Sequence, residues 1–233
     1  RSTLFPYTTL FRSQPLMIDL HTHTIFSDGE LLPAELARRA KVAGYRAIAI
    51  TDHADASNLE LIVPRISAMA REYSAYMDLT IIAGVELTHV PPGLVEQETR
   101  RARALGAQVV VVHGETIVEP VERGTNLAAI EAGVDVLAHP GLITEEEVRL
   151  AAEKKVLLEI TTRSGHGYTN GHVLTLARRH GAAVVVNNDA HAPRDLTDRD
   201  LRRKIALGCG MTPEEYRMAD ECAWNLVSRC LSL

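Results

Sequence analysis

The stretch Val109-Val110-Val111-Val112-His113-Gly114-Glu115 decides the architecture. Four valines in a row favour a strand, and the lack of polar alternation means that both faces of that strand are covered. An imidazole waits at its end. Working outward, the same design recurs: short apolar runs, several ending in a polar residue, alternate with amphipathic segments, the signature of βα units and a parallel sheet. The runs predict strands over 17–21, 46–51, 80–86, 108–113, 134–139, 156–160 and 183–188. Helices are expected over 33–42 before Gly44, 95–105 before Gly106, and 145–155, where Thr144 and Glu147 form a capping box. Another follows Asn170 and stops before Gly181. Thr212-Pro213-Glu214-Glu215 opens a last helix reaching about Arg229, with Trp224, Leu226 and Val227 packed on the body of the protein.

Strands covered on both faces fit a barrel or a doubly wound sheet. The polar residues choose between them. A doubly wound sheet gathers its ligands at one switch point, whereas a barrel draws one from nearly every strand. Here the first strand ends in His21-Thr22-His23, the second in Thr51-Asp52-His53 and the third in Gly84-Val85-Glu86. The fourth ends at His113, the fifth at His139-Pro140-Gly141, and the seventh runs into Asn188-Asp189-Ala190-His191. That distribution favours a barrel of seven βα units with these side chains converging on the C-terminal face.

At 233 residues the chain suits one sizeable core, and residues 17–233 are read as one barrel domain. Residues 1–16 match no periodic template and are read as a non-native or disordered leader, with Met17 as the natural start. The formal charge of −5 and the scattered basic residues leave no stripe for a nucleic-acid backbone, so long nucleic acid is not the expected partner. Cys209, Cys222 and Cys230 are odd in number and lack CxxC spacing, which points to free thiols and a cytoplasmic location. No run approaches the roughly 18 apolar residues of a membrane span. Oligomeric state is left open.

One histidine after a strand is usually a hydrogen-bonded structural residue. Six of the ten histidines at strand ends on one face, with Glu86 and Asp189 among them, are a different matter. Such a cluster is costly to desolvate unless cations neutralise it. Imidazole with carboxylate suits Zn, Mn or Fe, and the set is too large for one tetrahedral ion, so two or three divalent ions are expected. His21-x-His23 alone is shared by many barrel hydrolases. The amidohydrolase type needs a lysine at a strand end to bridge its metals, and Lys41, Lys154, Lys155 and Lys204 all fall in or at the ends of helical patterns. Glu86 takes the bridging position instead.

These motifs in order, DLHTHTIFSDG, ITDHA, AGVE, VVVHGE, LAHPG, LEIT and NNDAH, resemble the PHP (polymerase and histidinol phosphatase) superfamily from Met17 to about Asp195. HGETIVEPVERGTN and GHGYTNGHV are similar to its histidinol-phosphatase-like branch. The resemblance implies a distorted (β/α)7 TIM-like barrel with a trinuclear metal site. It places His21, His23, Glu86 and Asp189 around one ion, with Glu86 bridging to a second held by His113 and His139. A third would lie between His53, His191 and Asp28, the last standing where some relatives carry histidine.

The expected activity is hydrolysis of a small phosphate monoester, of which L-histidinol phosphate is the one the resemblance suggests, by a metal-activated water. Glu86, Asp189 and His191 are the expected catalytic groups, with His166 a further proton donor. Arg163, His166 and Arg123 are the expected substrate-binding residues, and Asn126 and Asn170 are similar candidates. Asp52 reads either as a ligand-orienting group or as an exposed strand-end carboxylate, His172 and His180 as structural, and His89 is left unassigned. Competing readings are a phosphodiesterase on nucleotides or oligonucleotide ends and a non-catalytic, metal-stabilised PHP module.

Overall fold

The computed structural model describes residues 17–232. The reading of 1–16 as a leader lies outside the described residues. Strands β1 (Ile18–Asp19), β2 (Ala47–Ile50), β3 (His53–Ala54), β4 (Thr80–Leu87), β5 (Val109–His113), β6 (Val136–Ala138), β7 (Leu157–Thr161) and β8 (Val184–Asn187) are all parallel, in the order β1-β2-β4-β5-β6-β7-β8. β3 continues β2 past a break at Thr51-Asp52 and pairs with β4, His53 opposite Glu86. Seven barrel positions result, as the sequence reading expects. A parallel bridge between Thr22 and Ala190 closes β1 onto β8, making a distorted TIM-like barrel.

The valine run shows how one strand serves two cores. Val109 and Val111 point into the barrel with Ile18, Ala47, Ile82, Val136 and Val185, while Val110 and Val112 pack outward beneath the helices. That two-residue alternation carries His113 inward above Val111. β4 obeys the same rule: Ile82, Gly84 and Glu86 face in, and Ile81, Ala83, Val85 and Leu87 face out. Gly84 has no room for a side chain, because a Cβ there would lie 2.7 Å from Thr51 Cγ2 and 3.0 Å from the Val109 carbonyl.

Among the described residues, eight α-helices surround the strands: α1 (Pro33–Ala43), α2 (Leu59–Met77), α3 (Val95–Ala104), α4 (Thr125–Ala132), α5 (Glu145–Lys154), α6 (Asn170–His180), α7 (Arg199–Gly208) and α8 (Pro213–Leu231). The capping boxes read at Thr144 and Thr212 both form. On α8, Leu226 and Val227 join the inner core with Trp224 against it, closing the barrel from the end opposite the histidines. Helices α2, α4 and α7 carry weaker local signals. α2 even contains Pro64, whose missing N–H normally ends a helix, yet the buried face of Leu59, Ile62, Val63 and Ile66 holds it against the outer core. No described helix is long and apolar enough to cross a membrane.

Candidate metal centre

The nine residues expected to bind metal meet at the C-terminal ends of the strands. Glu86, fully buried at the end of β4, lies at the middle. Its Oε1 is 3.3 Å from His21 Nε2, 3.3 Å from His113 Nδ1 and 3.8 Å from His139 Nε2. Its Oε2 is 2.7 Å from His53 Nδ1 and 3.7 Å from His23 Nε2. Asp189 Oδ1 sits 3.2 Å from His23 Nε2, 3.4 Å from His191 Nδ1 and 3.6 Å from His21 Nε2. Asp28, on the loop after β1, brings Oδ1 to 3.2 Å from His191 Nε2 and 3.4 Å from His53 Nε2.

Possible ligand sets overlap. Donor atoms converge in His23, Asp28, His53 and His191, in His21, His139 and Asp189, in His21, His23 and Glu86, and in His53, Glu86 and His113. The first holds the expected third site with His23 added. His139 groups with His21 and Asp189, whereas the resemblance paired it with His113. The convergence itself calls for cations. His21 Nε2, both ring nitrogens of His23, His113 Nδ1, His139 Nδ1, Glu86 Oε1 and Asp189 Oδ1 are buried without a hydrogen-bond partner. Leaving so many polar atoms unsatisfied is unfavourable, whereas divalent ions would engage their lone pairs together. Imidazole nitrogens mixed with carboxylate oxygens are the donor chemistry of Zn, Mn or Fe.

Electrostatics divide the imidazoles of the cluster. Burial, with His53 beside one and His113 beside the other, holds His23 and His139 well below the usual imidazole range, so both keep free lone pairs. Burial also acts on His21, but Glu159, Glu86 and Asp189 outweigh it and raise that imidazole. Burial would raise Glu86 too, yet His21 and His53 hold it well below the ordinary carboxylate range. Asp189, less compensated, is pushed up to about 7 by burial.

Two candidate ligands adopt backbone conformations that L-residues disfavour: φ is 26° at His139 and 51° at Asp189. Such strain persists only where the surroundings impose it. After Asp189, Arg163 Nη1 donates to its carbonyl at 3.2 Å and to Asp195 Oδ2 at 3.2 Å. Asp195 in turn accepts from the backbone N–H groups of His191 and Ala192, tying the loop down. After His139, Gly141 has φ 61°, and a Cβ there would fall 1.8 Å from the Glu115 carbonyl oxygen. Gly141→Ala is therefore expected to destabilise the fold by about 2 kcal/mol, read as a lower urea midpoint at unchanged m-value.

Asp52 is buried rather than exposed. It accepts from Thr24 N–H, Thr24 Oγ1 and Ser27 Oγ, each at 2.7 Å, and so shapes the loop that carries Asp28. Gly29 completes that turn: a Cβ would meet the His23 carbonyl oxygen at 2.5 Å. Arg163 and His166 line a cleft of about 250 Å³ together with Asp28, His53, His113, Asp189 and His191. Arg123 is exposed and does not line it. The amides of Asn126 and Asn170 are engaged with backbone, Asn126 joining Glu115 N–H to the Pro140 carbonyl and Asn170 clasping Thr161. His172 bonds the Ile143 carbonyl and His180 faces Glu145.

Two carboxylates escaped the sequence reading. Glu159 points inward from β7, fully buried, and its Oε2 meets His21 Nδ1 at 2.8 Å, fixing the ring so that Nε2 faces Glu86 and Asp189. Its signal was present, since a lone acid in Leu157-Leu158-Glu159-Ile160 is out of place in a covered strand. Glu119, on the loop after β5, reaches His113 Nε2 at 3.0 Å, His166 Nε2 at 3.3 Å and His89 Nε2 at 3.8 Å. Nothing local marks it.

Residues 19–180 match the family described as PHP domain. An uncharacterized protein of Methanocaldococcus jannaschii is 50% identical over 202 residues, covering 86% of this chain and 93% of its own. DNA polymerase/3'-5' exonuclease PolX of Bacillus subtilis is 24% identical over 77% of this chain and 35% of that protein. Among solved structures, a histidinol phosphate phosphatase from Lactococcus lactis, complexed with zinc, L-histidinol and phosphate, aligns with a TM-score of 0.60. Its identity is 18%, over 84% of this chain and 94% of that one. A chain of an archaeal ribonuclease P with mature tRNA aligns with a TM-score of 0.70 at 19% identity, over 93% and 92%. At these identities the structural likeness establishes the fold.

Proposed function

The chain belongs to the PHP domain family, and from that premise we propose that it is a metal-dependent hydrolase of a small phosphate monoester, with L-histidinol phosphate the leading substrate. The observation that carries this reading is the cleft: about 250 Å³, walled by Asp28, His53, His113, Asp189 and His191 and edged by the Arg163 guanidinium. That volume suits a phosphoryl group and a compact alcohol rather than a polymer. When bound, divalent ions supply Lewis acidity, stabilising charge on phosphoryl oxygens and acidifying water.

In this reading His21, His23, Asp28, His53, Glu86, His113, His139, Asp189 and His191 would hold two or three ions, with Glu86 at the middle of the set. Arg163 orients the phosphate, a fork of donors matched to its oxygens. His166, stacked on His139 with ring centroids 4.2 Å apart, flanks the alcohol. Of the candidate proton donors Asp189, His191 and His166, only His166 is not assigned to the ions, and it returns the proton to the leaving alkoxide.

The test is phosphate release from L-histidinol phosphate beside hydrolysis of bis-p-nitrophenyl phosphate, with protein purified without chelator and supplied in turn with Zn, Mn or Fe. Turnover of the monoester is expected, together with its loss on chelation and return on metal addition. Diester turnover alone would favour the second reading, for which the likeness to a polymerase-exonuclease speaks. Inert protein holding a full metal complement would make the domain a non-catalytic module. Glu159→Gln is expected to weaken metal binding about 10- to 100-fold, measured by competition with a chromogenic chelator, because the amide no longer fixes the His21 ring as the carboxylate does.

A further inference from the structure

Helix C-termini and strand starts meet at the other end of the barrel, around a second concave pocket of about 370 Å³. It is lined by Arg103, Gln108, Asp135, Lys154, Lys155 and Arg229, with the backbone of Gly133 and Val134, and shares no residue with the metal cleft. Val109 begins β5 beside this pocket and His113 ends it at the cluster, a separation of about 13 Å at the usual rise per strand residue. Four cations against one carboxylate give the pocket a formal charge of +3, in a chain whose total is −5.

The carboxylate is structural. Asp135 Oδ2 accepts from Val110 N–H at 2.8 Å and faces Arg103 Nη1 at 3.1 Å, and Oδ1 accepts from Arg229. It thereby holds two guanidiniums beside each other at the pocket wall. Cations gather at helix C-termini for a simpler reason, the negative end of the helix dipole. Arg103 fits that account, donating to the Gly133 carbonyl at 3.2 Å. Lys154, in the last turn of α5, and Lys155, its C-cap, fit it as well, but among the described residues neither forms an ion pair or a side-chain hydrogen bond, so both ammoniums are free to meet an anion. Lys155 also occupies a left-handed position, φ 60°, where α1, α4 and α6 place Gly44, Gly133 and Gly181. Two exposed, unpaired lysines, one in a conformation that favours glycine, thus lie beside two guanidiniums that Asp135 orients, a set of donors suited to an anion.

We propose that this basal pocket binds the di- or triphosphate group of a small molecule. Clustered phosphates carry the three or more negative charges that match it, and the open concavity has room for such a group against its wall. A nucleic-acid backbone spreads its charge along a strand instead, beyond the bounds of one concavity.

The experiment is lysine acetylation read by mass spectrometry on the metal-replete full chain, with tripolyphosphate as probe and inorganic phosphate as the singly charged-centre control. The chain has only four lysines, so Lys41 and Lys204 serve as internal standards. At a probe concentration about ten times its Kd, labelling of Lys154 and Lys155 is expected to fall about tenfold, with Lys204 unaffected. Arg229→Gln should weaken that protection while leaving hydrolysis of p-nitrophenyl phosphate unchanged. Equal protection of Lys204, no protection at all, or protection unaltered by Arg229→Gln would overturn the proposal. So would stronger protection by a short single-stranded oligonucleotide at equal phosphate concentration.

Discussion

Glu86→Gln is expected to lower kcat about 10²- to 10³-fold or more and to reduce the number of ions bound, with the barrel still folded. The reason lies in its contacts. No other carboxylate of the cluster faces five imidazoles, with Oε1 toward His21, His113 and His139 and Oε2 toward His53 and His23. An amide keeps the shape but removes the negative charge that bound ions would engage and turns one carboxylate oxygen into a donor group. Steady-state hydrolysis, metal analysis of the purified variant and an unchanged circular-dichroism spectrum form the test. Wild-type turnover with a wild-type metal count would remove Glu86 from the centre.

The second large effect concerns stability. Arg202→Met is expected to destabilise the protein by about 3–5 kcal/mol, measured by urea unfolding. Arg202, on α7, is fully buried. Its guanidinium donates to Asp220 at 2.7 Å, Tyr216 OH at 2.8 Å, the Val186 carbonyl at 2.7 Å and the Ile18 carbonyl at 3.2 Å. Burial works against its charge, but Asp220 and Tyr216 outweigh that and hold it protonated. The two carbonyls belong to β8 and β1, the strands closed by the Thr22–Ala190 bridge, so one side chain fastens the barrel seam. Without it, Asp220 is a buried charge lacking its partner. Removing both charges in Arg202→Met/Asp220→Leu should recover part of the loss, and a double variant no more stable than the single would refute this account.

How the site was legible follows from particular residues. His113 was readable because β5 is regular: Val109, Val111 and His113 share a face whatever the rest of the chain does. Glu86 follows Ile82 and Gly84 inward by the same rule. His139 and Asp189 are placed differently. Each stands just past its strand in a positive-φ conformation, and the direction of its side chain depends on Gly141 and on the Arg163–Asp195 brace. Glu119 was hidden because its position comes from a loop, without a repeating geometry to project it.

By itself, then, the sequence determined the class of the protein: periodicity two in covered strands, punctuated helices, and ligand-type side chains at strand ends, all set by contacts between near neighbours in the chain. Only the tertiary structure decided which donors converge, that Glu159 holds His21 from across the barrel, that Arg202 secures the seam and that four cations share a basal pocket. Those relations join residues far apart in sequence, and their geometry exists only once strand register and barrel closure have set the distances between them.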